Sequence, residues 1–324
     1  MWNMRAVQVT TLDGPDAIEI ADVADIEAAD NQVLIDVHAA GVTFPDVLQT
    51  RGLYQIKPPL PFTPGSEVAG VVVSAPGGSH VKPGDRVVAF PGLGGFAQRV
   101  AVDPAVVFPL ADNVSFEAGA GIPMNYLTVH FALLRRGRLA AGENVLVHGA
   151  AGGVGTAAIQ VAKAFGAEVI AVVSSDSKAA VARDAGADHT ILAAGFRDAV
   201  KEQFPAGVDI VVDPVGGDRM TDSLRCLRAE GRHLVIGFTA GEIPSVRVNR
   251  LLLNNIDLVG VGWGAFWLSN PGYLQEQWRA LAPHFESGAL APVVGEVVAL
   301  DRAADALRAL DERRATGKVI LATR

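Results

Sequence analysis

Val145-Leu146-Val147-His148-Gly149-Ala150-Ala151-Gly152-Gly153-Val154-Gly155 carries an apolar run straight into glycines spaced G-x-x-G-x-x-G. The run reads as a buried strand, and residues 154–165 continue as an amphipathic helix. Glycines in such a connection permit a tight turn and let backbone N–H groups come close to a pyrophosphate. The helix N-terminus adds partial positive charge. The spacing departs from the strict G-x-G-x-x-G, and either form alone is unspecific. The strand–turn–helix context separates a dinucleotide-binding turn from an ordinary strand–helix connection. Gly149, Ala151, Gly152, Gly153 and Val154 are therefore the backbone positions expected to face a cofactor.

Downstream, apolar runs at 168–173, 189–192, 208–213, 232–238 and 256–261 alternate with helical patterns at 178–185, 196–204 and 220–227. Near-continuous apolar strands alternating with helices imply a parallel sheet covered on both faces. With 144–148 they supply six strands, enough for one doubly wound nucleotide-binding domain. The second strand ends in Val173-Ser174-Ser175-Asp176-Ser177-Lys178. A site for NAD places a carboxylate there on the ribose 2′-OH. Here Ser174, Ser175 and Lys178 suit a 2′-phosphate instead, so NADPH is the expected cofactor. Asp176 counts against this unless it points into solvent, and Lys178 reads equally as a solvated first-turn residue.

Upstream the texture differs. Short β-branched runs at 6–9, 32–37, 68–73, 86–90 and 97–102 are punctuated by Gly, Pro and Asp, and Pro58–Gly65 excludes helix and interior strand. From Ser115, a plausible N-cap, the chain turns Ala/Leu-rich and helix-like to about Gly142. After Trp263 a helix at 273–287, a strand at 292–300, a helix at 302–314 and a strand at 318–322 return to the first texture. The expected fold is α/β: a Rossmann doubly wound sheet over 125–263, inserted into a β-rich domain made of 1–124 and 264–324.

Composition bounds the rest. At roughly 150 residues per domain, 324 residues suggest two. Thirty-five acidic against 27 basic residues give −8, which disfavours nucleic-acid partners. Cys226 is the single cysteine, so neither an internal disulfide nor a cysteine zinc cage can form. The first residues lack a basic segment followed by an apolar one, and the longest apolar stretch, 258–268, is too short and Gly-rich to span a bilayer. A cytoplasmic protein with no membrane partner is expected.

With these residues in hand, the chain resembles the zinc-independent quinone oxidoreductases of the medium-chain dehydrogenase/reductase superfamily, the zeta-crystallin type. The matching segments are Gly41-Val42-Thr43-Phe44-Pro45-Asp46, Arg51-Gly52-Leu53-Tyr54, residues 61–70, Ile122-Pro123-Met124-Asn125-Tyr126-Leu127-Thr128 and Arg313–Lys318, besides the glycine turn. The resemblance implies a GroES-like outer domain, a Rossmann domain, a cleft between them and a homodimer. In zinc-dependent relatives a cysteine lies within the stretch matching 42–46, and a histidine matches Ser66. Neither is present here, so no metal is expected. Chemistry without zinc implies direct hydride delivery to an acceptor already activated by conjugation, a quinone or an α,β-unsaturated carbonyl. Reduction of 2-enoyl thioesters on the same fold is the alternative, and a non-catalytic NADPH-binding role a third reading.

The resemblance also implies roles. Asn125 and Thr128 belong beside the nicotinamide, although each could simply cap or back-bond within its helix. Tyr54 matches a tyrosine that lines the acceptor site, where it could donate a hydrogen bond to the acceptor oxygen or simply pack with its hydroxyl in water, and Thr43 stands where many relatives carry asparagine. Gly237 and Phe238 pass near the nicotinamide, and Arg314 reaches toward the 2′-phosphate unless it serves only as a last-turn cation. A tyrosine of the phosphate clamp is replaced at Ala193. Trp263 and Trp267 could wall an aromatic acceptor or serve an interface. His148 and Cys226 read as structural.

Overall fold

The structure, a computed structural model, describes residues 3–270 and 272–324. It divides into two compact units, Met1–Met124 with Gly272–Arg324, and Asn125–Pro271. The second unit runs past the expected boundary at 263. The helix Trp263–Leu268 packs there, with Phe266 against Phe131 at 5.1 Å between ring centroids and the Arg135 guanidinium over the Phe266 ring.

The second unit holds six parallel strands in the order His189–Leu192, Glu168–Val173, Asn144–His148, Val208–Asp213, Leu227–Val235, Asp257–Gly260. Every residue of Val208–Asp213 is buried, as a central strand covered on both faces requires. Leu146, Ile170, Val172, Ile191 and Val211 meet Phe196, Val200 and Cys226 in one apolar cluster. The chain runs outward in opposite directions from the pair Asn144–His148 and Val208–Asp213. The sheet therefore opens at the carboxyl ends of these two strands, where ligands bind in such folds.

The first unit is built on a seven-stranded sheet. Val33–Val42 pairs antiparallel with Glu67–Ser74, Arg99–Val102 and Lys318–Ala322. Lys318–Ala322 pairs parallel with Val294–Ala299, so the carboxyl-terminal segment joins the amino-terminal sheet. The helical stretch expected over 115–142 is broken. Ser115 does cap Phe116–Gly119, accepting from Ala118 N–H, and a second helix, Pro123–His130, starts at a proline. It passes into a wide turn over Phe131–Arg136, closed by Gly137 N–H donating to Ala132 C=O at 2.7 Å.

Candidate functional site

In the second unit the glycine turn meets each steric demand with a specific residue. Gly149 has φ of 59°, and a Cβ on it would lie 3.2 Å from Val215 Cγ2. A Cβ on Gly155 would sit 2.2 Å from Gly149 C=O, so turn and helix can close only around glycine. Gly152 caps the helix Gly153–Ala164 in extended conformation with no side-chain cap. The first-turn N–H groups have no partner within the helix and point where an anion would bind. Gly152, Gly153 and Val154 are half-buried, whereas Ala151 is buried.

Asn125 and Thr128 lie three residues apart on Pro123–His130, and both are buried. Asn125 is brought against the glycine turn: a Cβ on Gly153 would stand 2.6 Å from Asn125 Nδ2. At the end of the neighbouring strand, Ser175 caps the helix Asp176–Asp184, accepting from Lys178 N–H at 3.3 Å. Ser174 and Asp176 are exposed and Lys178 is half-buried. Ala193 packs against the apolar cluster of the sheet. Gly237 and Phe238 lie beyond the end of Leu227–Val235, and a Cβ on Gly216 would come within 2.8 Å of Phe238 Cδ1. Trp263 and Trp267 lie close together with their rings tilted at 46°, centroids 6.2 Å apart. Cys226 is buried, and burial pushes its thiol up to about 12.

Sequence reasoning missed a buried polar network beside this turn. Asp213 ends its strand and accepts from Val215 N–H at 2.8 Å and Gly216 N–H at 2.9 Å. Its other oxygen lies 3.1 Å from His233 Nε2. His148 Nε2 lies 2.8 Å from Ser223 Oγ, which itself donates to Arg219 C=O. Burial lowers His148 to about 4, so the ring is neutral and donates to Ser223. The only sequence signal was an aspartate closing an apolar run ahead of Pro214-Val215-Gly216-Gly217.

In the first unit, Thr43 caps the helix Phe44–Thr50 in a reciprocal box with Asp46. Thr43 Oγ1 donates to Asp46 Oδ2 at 2.6 Å, Thr43 N–H to the same oxygen at 2.7 Å, and Gly65 N–H to Asp46 Oδ1 at 3.3 Å. The threonine hydroxyl proton is thus engaged within the helix start. Burial raises Asp46 to about 6, against the pull of the Thr43 hydrogen bonds. Glu67 pairs with Lys318 deep in the sheet and accepts from Met124 N–H at 2.6 Å. Gly41 leaves room for that pair, since a Cβ there would lie 2.6 Å from Glu67 Oε1. Tyr54 is partly buried, and burial, then the Asp46 charge, raises its pKa, so it stays a phenol able to donate. Arg314 is exposed and bonded to Glu312 at 2.6 Å, in this unit rather than the one carrying Ser174, Ser175 and Lys178.

A catalytic zinc would need about three protein ligands. Around Thr43 and Ser66 the donor set is two hydroxyls and one carboxylate whose oxygens already accept from Thr43 and Gly65. These residues do not fit zinc. Among the described residues no group of three or more His, Cys, Asp or Glu side chains could hold a metal.

Residues 29–112 match the family described as alcohol dehydrogenase GroES-like domain, and residues 153–287 the family described as zinc-binding dehydrogenase. A rat relative named quinone oxidoreductase-like protein 2 is 39% identical over 322 residues, which cover 98% of this chain and 91% of that one. A probable oxidoreductase from Mycobacterium abscessus superposes with a TM-score of 0.91 at 43% identity, covering 99% of both chains. The quinone oxidoreductase of Thermus thermophilus, solved also in complex with NADPH, does so with a TM-score of 0.86 at 35% identity, covering 98% of this chain and 100% of the other.

Proposed function

The chain belongs to the quinone oxidoreductase family of the medium-chain dehydrogenases, and from that premise we propose that it reduces quinones and related conjugated carbonyls with NADPH, by direct hydride transfer without a metal. The observation that carries this reading is the glycine turn whose Gly153 is closed upon by Asn125 at the opening of the parallel sheet. That is where a pyrophosphate and a nicotinamide are received in a doubly wound domain. NADPH bound there supplies the hydride.

The side chains supply position and charge. The first-turn N–H groups of Gly153–Ala164 hold the pyrophosphate, and Ser174 and Lys178 answer the 2′-phosphate. Asn125 and Thr128 align the nicotinamide. Tyr54, kept protonated by burial and by Asp46, donates a hydrogen bond to the oxygen on which negative charge develops. Thr43 contributes less than an asparagine would, because its one hydroxyl proton is given to Asp46.

A homodimer is part of the same reading. Asp257–Gly260 is an edge strand whose Leu258 is exposed, as are Val248, Leu252 and Leu253 just ahead of it in the chain, apolar surface that a second copy would cover. No helix among the described residues is long and apolar enough to cross a membrane, and we place the enzyme in the cytoplasm, where NADPH is at hand.

The test is NADPH oxidation by the purified protein with 9,10-phenanthrenequinone and crotonyl-CoA side by side, its mass in solution read by sedimentation. Faster turnover of the quinone is expected. Preference for the thioester, or silence with both, would overturn the acceptor class.

A further inference from the structure

We propose that His233, acting through Asp213, is a positioning residue that sets the backbone on which the cofactor rests. The proposal stands on the reading of the second unit as an NADPH site.

The segment Asp213–Gly217 lies between two of the backbone stretches assigned to the cofactor. On one side Val215 Cγ2 would be 3.2 Å from a Cβ at Gly149. On the other, Phe238 closes on Gly216, Thr239 N–H donates to Pro214 C=O at 3.2 Å, and Ala240 N–H to Val215 C=O at 2.9 Å. Where this segment goes, both the glycine turn and the Phe238 loop must follow.

Yet its own backbone specifies little. Gly216 and Gly217 have φ of 66° and 72°, a left-handed pair that glycine enters freely and leaves as freely. Within the segment, the Val215 and Gly216 N–H groups are both held by one carboxylate oxygen of Asp213. That oxygen can be aimed only if its twin is held, and the twin faces His233 Nε2 at 3.1 Å. An ionised carboxylate only accepts, so Nε2 carries the proton. His233 is completely buried, on the neighbouring strand Leu227–Val235, and cannot swing away. The other charged or titratable groups near Asp213 are His148, neutral and committed to Ser223, and Arg219, whose carbonyl takes the Ser223 proton. Neither substitutes for His233.

The experiment uses the full-length protein and three variants, His233→Ala, His233→Gln and His233→Asn. NADPH affinity is read by fluorescence titration, amide exchange at Val215 and Gly216 by hydrogen–deuterium exchange, and kcat at saturating NADPH. Folding is checked by circular dichroism. His233→Ala should weaken NADPH binding by roughly tenfold. It should also speed exchange of those two amides and leave kcat at saturation within about twofold of wild type. Gln places an amide N–H where Nε2 stands, and Asn where Nδ1 stands, so Gln should restore affinity and Asn should not. A folded alanine variant with unchanged affinity or unchanged exchange overturns the proposal. Should the alanine variant fail to fold, equal NADPH affinities for the Gln and Asn variants overturn it. Failure of the wild-type protein to bind NADPH would instead sink the cofactor reading.

Discussion

Each compact unit withdraws one aspartate from solvent, and the two end with opposite affinities for a proton. Asp46 in the first unit is 0% exposed and Asp213 in the second 1%. Each accepts two backbone N–H groups and one side-chain donor. The difference is the third partner. Asp46 has a threonine hydroxyl, and the cation that acts on it, Lys318, is already paired with Glu67, so burial wins and raises it to about 6. Asp213 has an imidazole. Burial pushes upward there too, but the His233 hydrogen bond and the two neighbouring imidazoles outweigh it and hold the carboxyl at about 2. Neutral donors soften desolvation without cancelling it, and a partner that can carry charge reverses its sign.

The largest expected effect follows from what each carboxylate leaves behind. Asp213→Ala strands two backbone N–H groups and an imidazole donor in a dry interior, and should cost about 3–5 kcal/mol in urea unfolding at pH 7. Asp46→Ala removes half of a capping box, but it also removes a carboxylate that is costly to keep ionised at that pH. Its loss should be nearer to about 1 kcal/mol. Equal losses for the two alanine variants would mean that the third partner is irrelevant.

Stability as a function of pH sharpens the contrast. Asp46 is raised in the folded protein, so the fold binds its proton more tightly than the unfolded chain does. The stability this confers is complete below the ordinary carboxylate range and is lost as pH rises through about 6. Asp213 is depressed, so its contribution is present above that range and disappears as pH falls toward about 2. Against wild type, Asp46→Asn should gain on the order of 3 kcal/mol between pH 4 and pH 7. Asp213→Asn should close its deficit only below pH 4. Parallel curves for the two Asn variants would break the comparison.

The same contrast marks how far the sequence could be read. Asn144–His148, Glu168–Val173 and Val208–Asp213 were legible to the residue, because a strand buried on both faces leaves a nearly unbroken apolar run, and the short edge strand His189–Leu192 was placed as closely. The next strand starts at Leu227 rather than 232, hidden behind Arg228, Glu230 and Arg232. Arg232 is buried all the same, bonded to Glu143 at 2.8 Å and to Gly137 C=O at 2.7 Å. Ile18–Ala24 escaped notice because Glu19 and Asp22 interrupt it and none of its residues is fully buried. The helix Phe44–Thr50 is short and begins with Phe-Pro, yet Thr43 and Asp46 stood at capping-box spacing. Glycines of the nucleotide turn announce themselves because their need is local. Asp213 and His233 are twenty positions apart on adjacent strands, and no spacing rule joins them before the sheet does.

The smallest effect reaches across the first unit to Tyr54. Its phenol is raised first by burial and then by the negative charge of Asp46. Replacing Asp46 with asparagine removes that charge and leaves the burial, so the Tyr54 titration should move down, never up. The absorbance of tyrosinate reports it against Tyr126, whose burial holds it far above the range in which Tyr54 ionises. A Tyr54→Phe control identifies the signal. A titration unmoved by Asp46→Asn would mean that the two side chains do not sense each other. Movement downward would show that the buried acid of the first unit, though engaged in capping a helix, also guards the proton of the phenol assigned to the acceptor. Asp213 does the corresponding work in the second unit by geometry, fixing a backbone, and so a carboxylate's partner decides whether it acts through its field or through its hydrogen bonds.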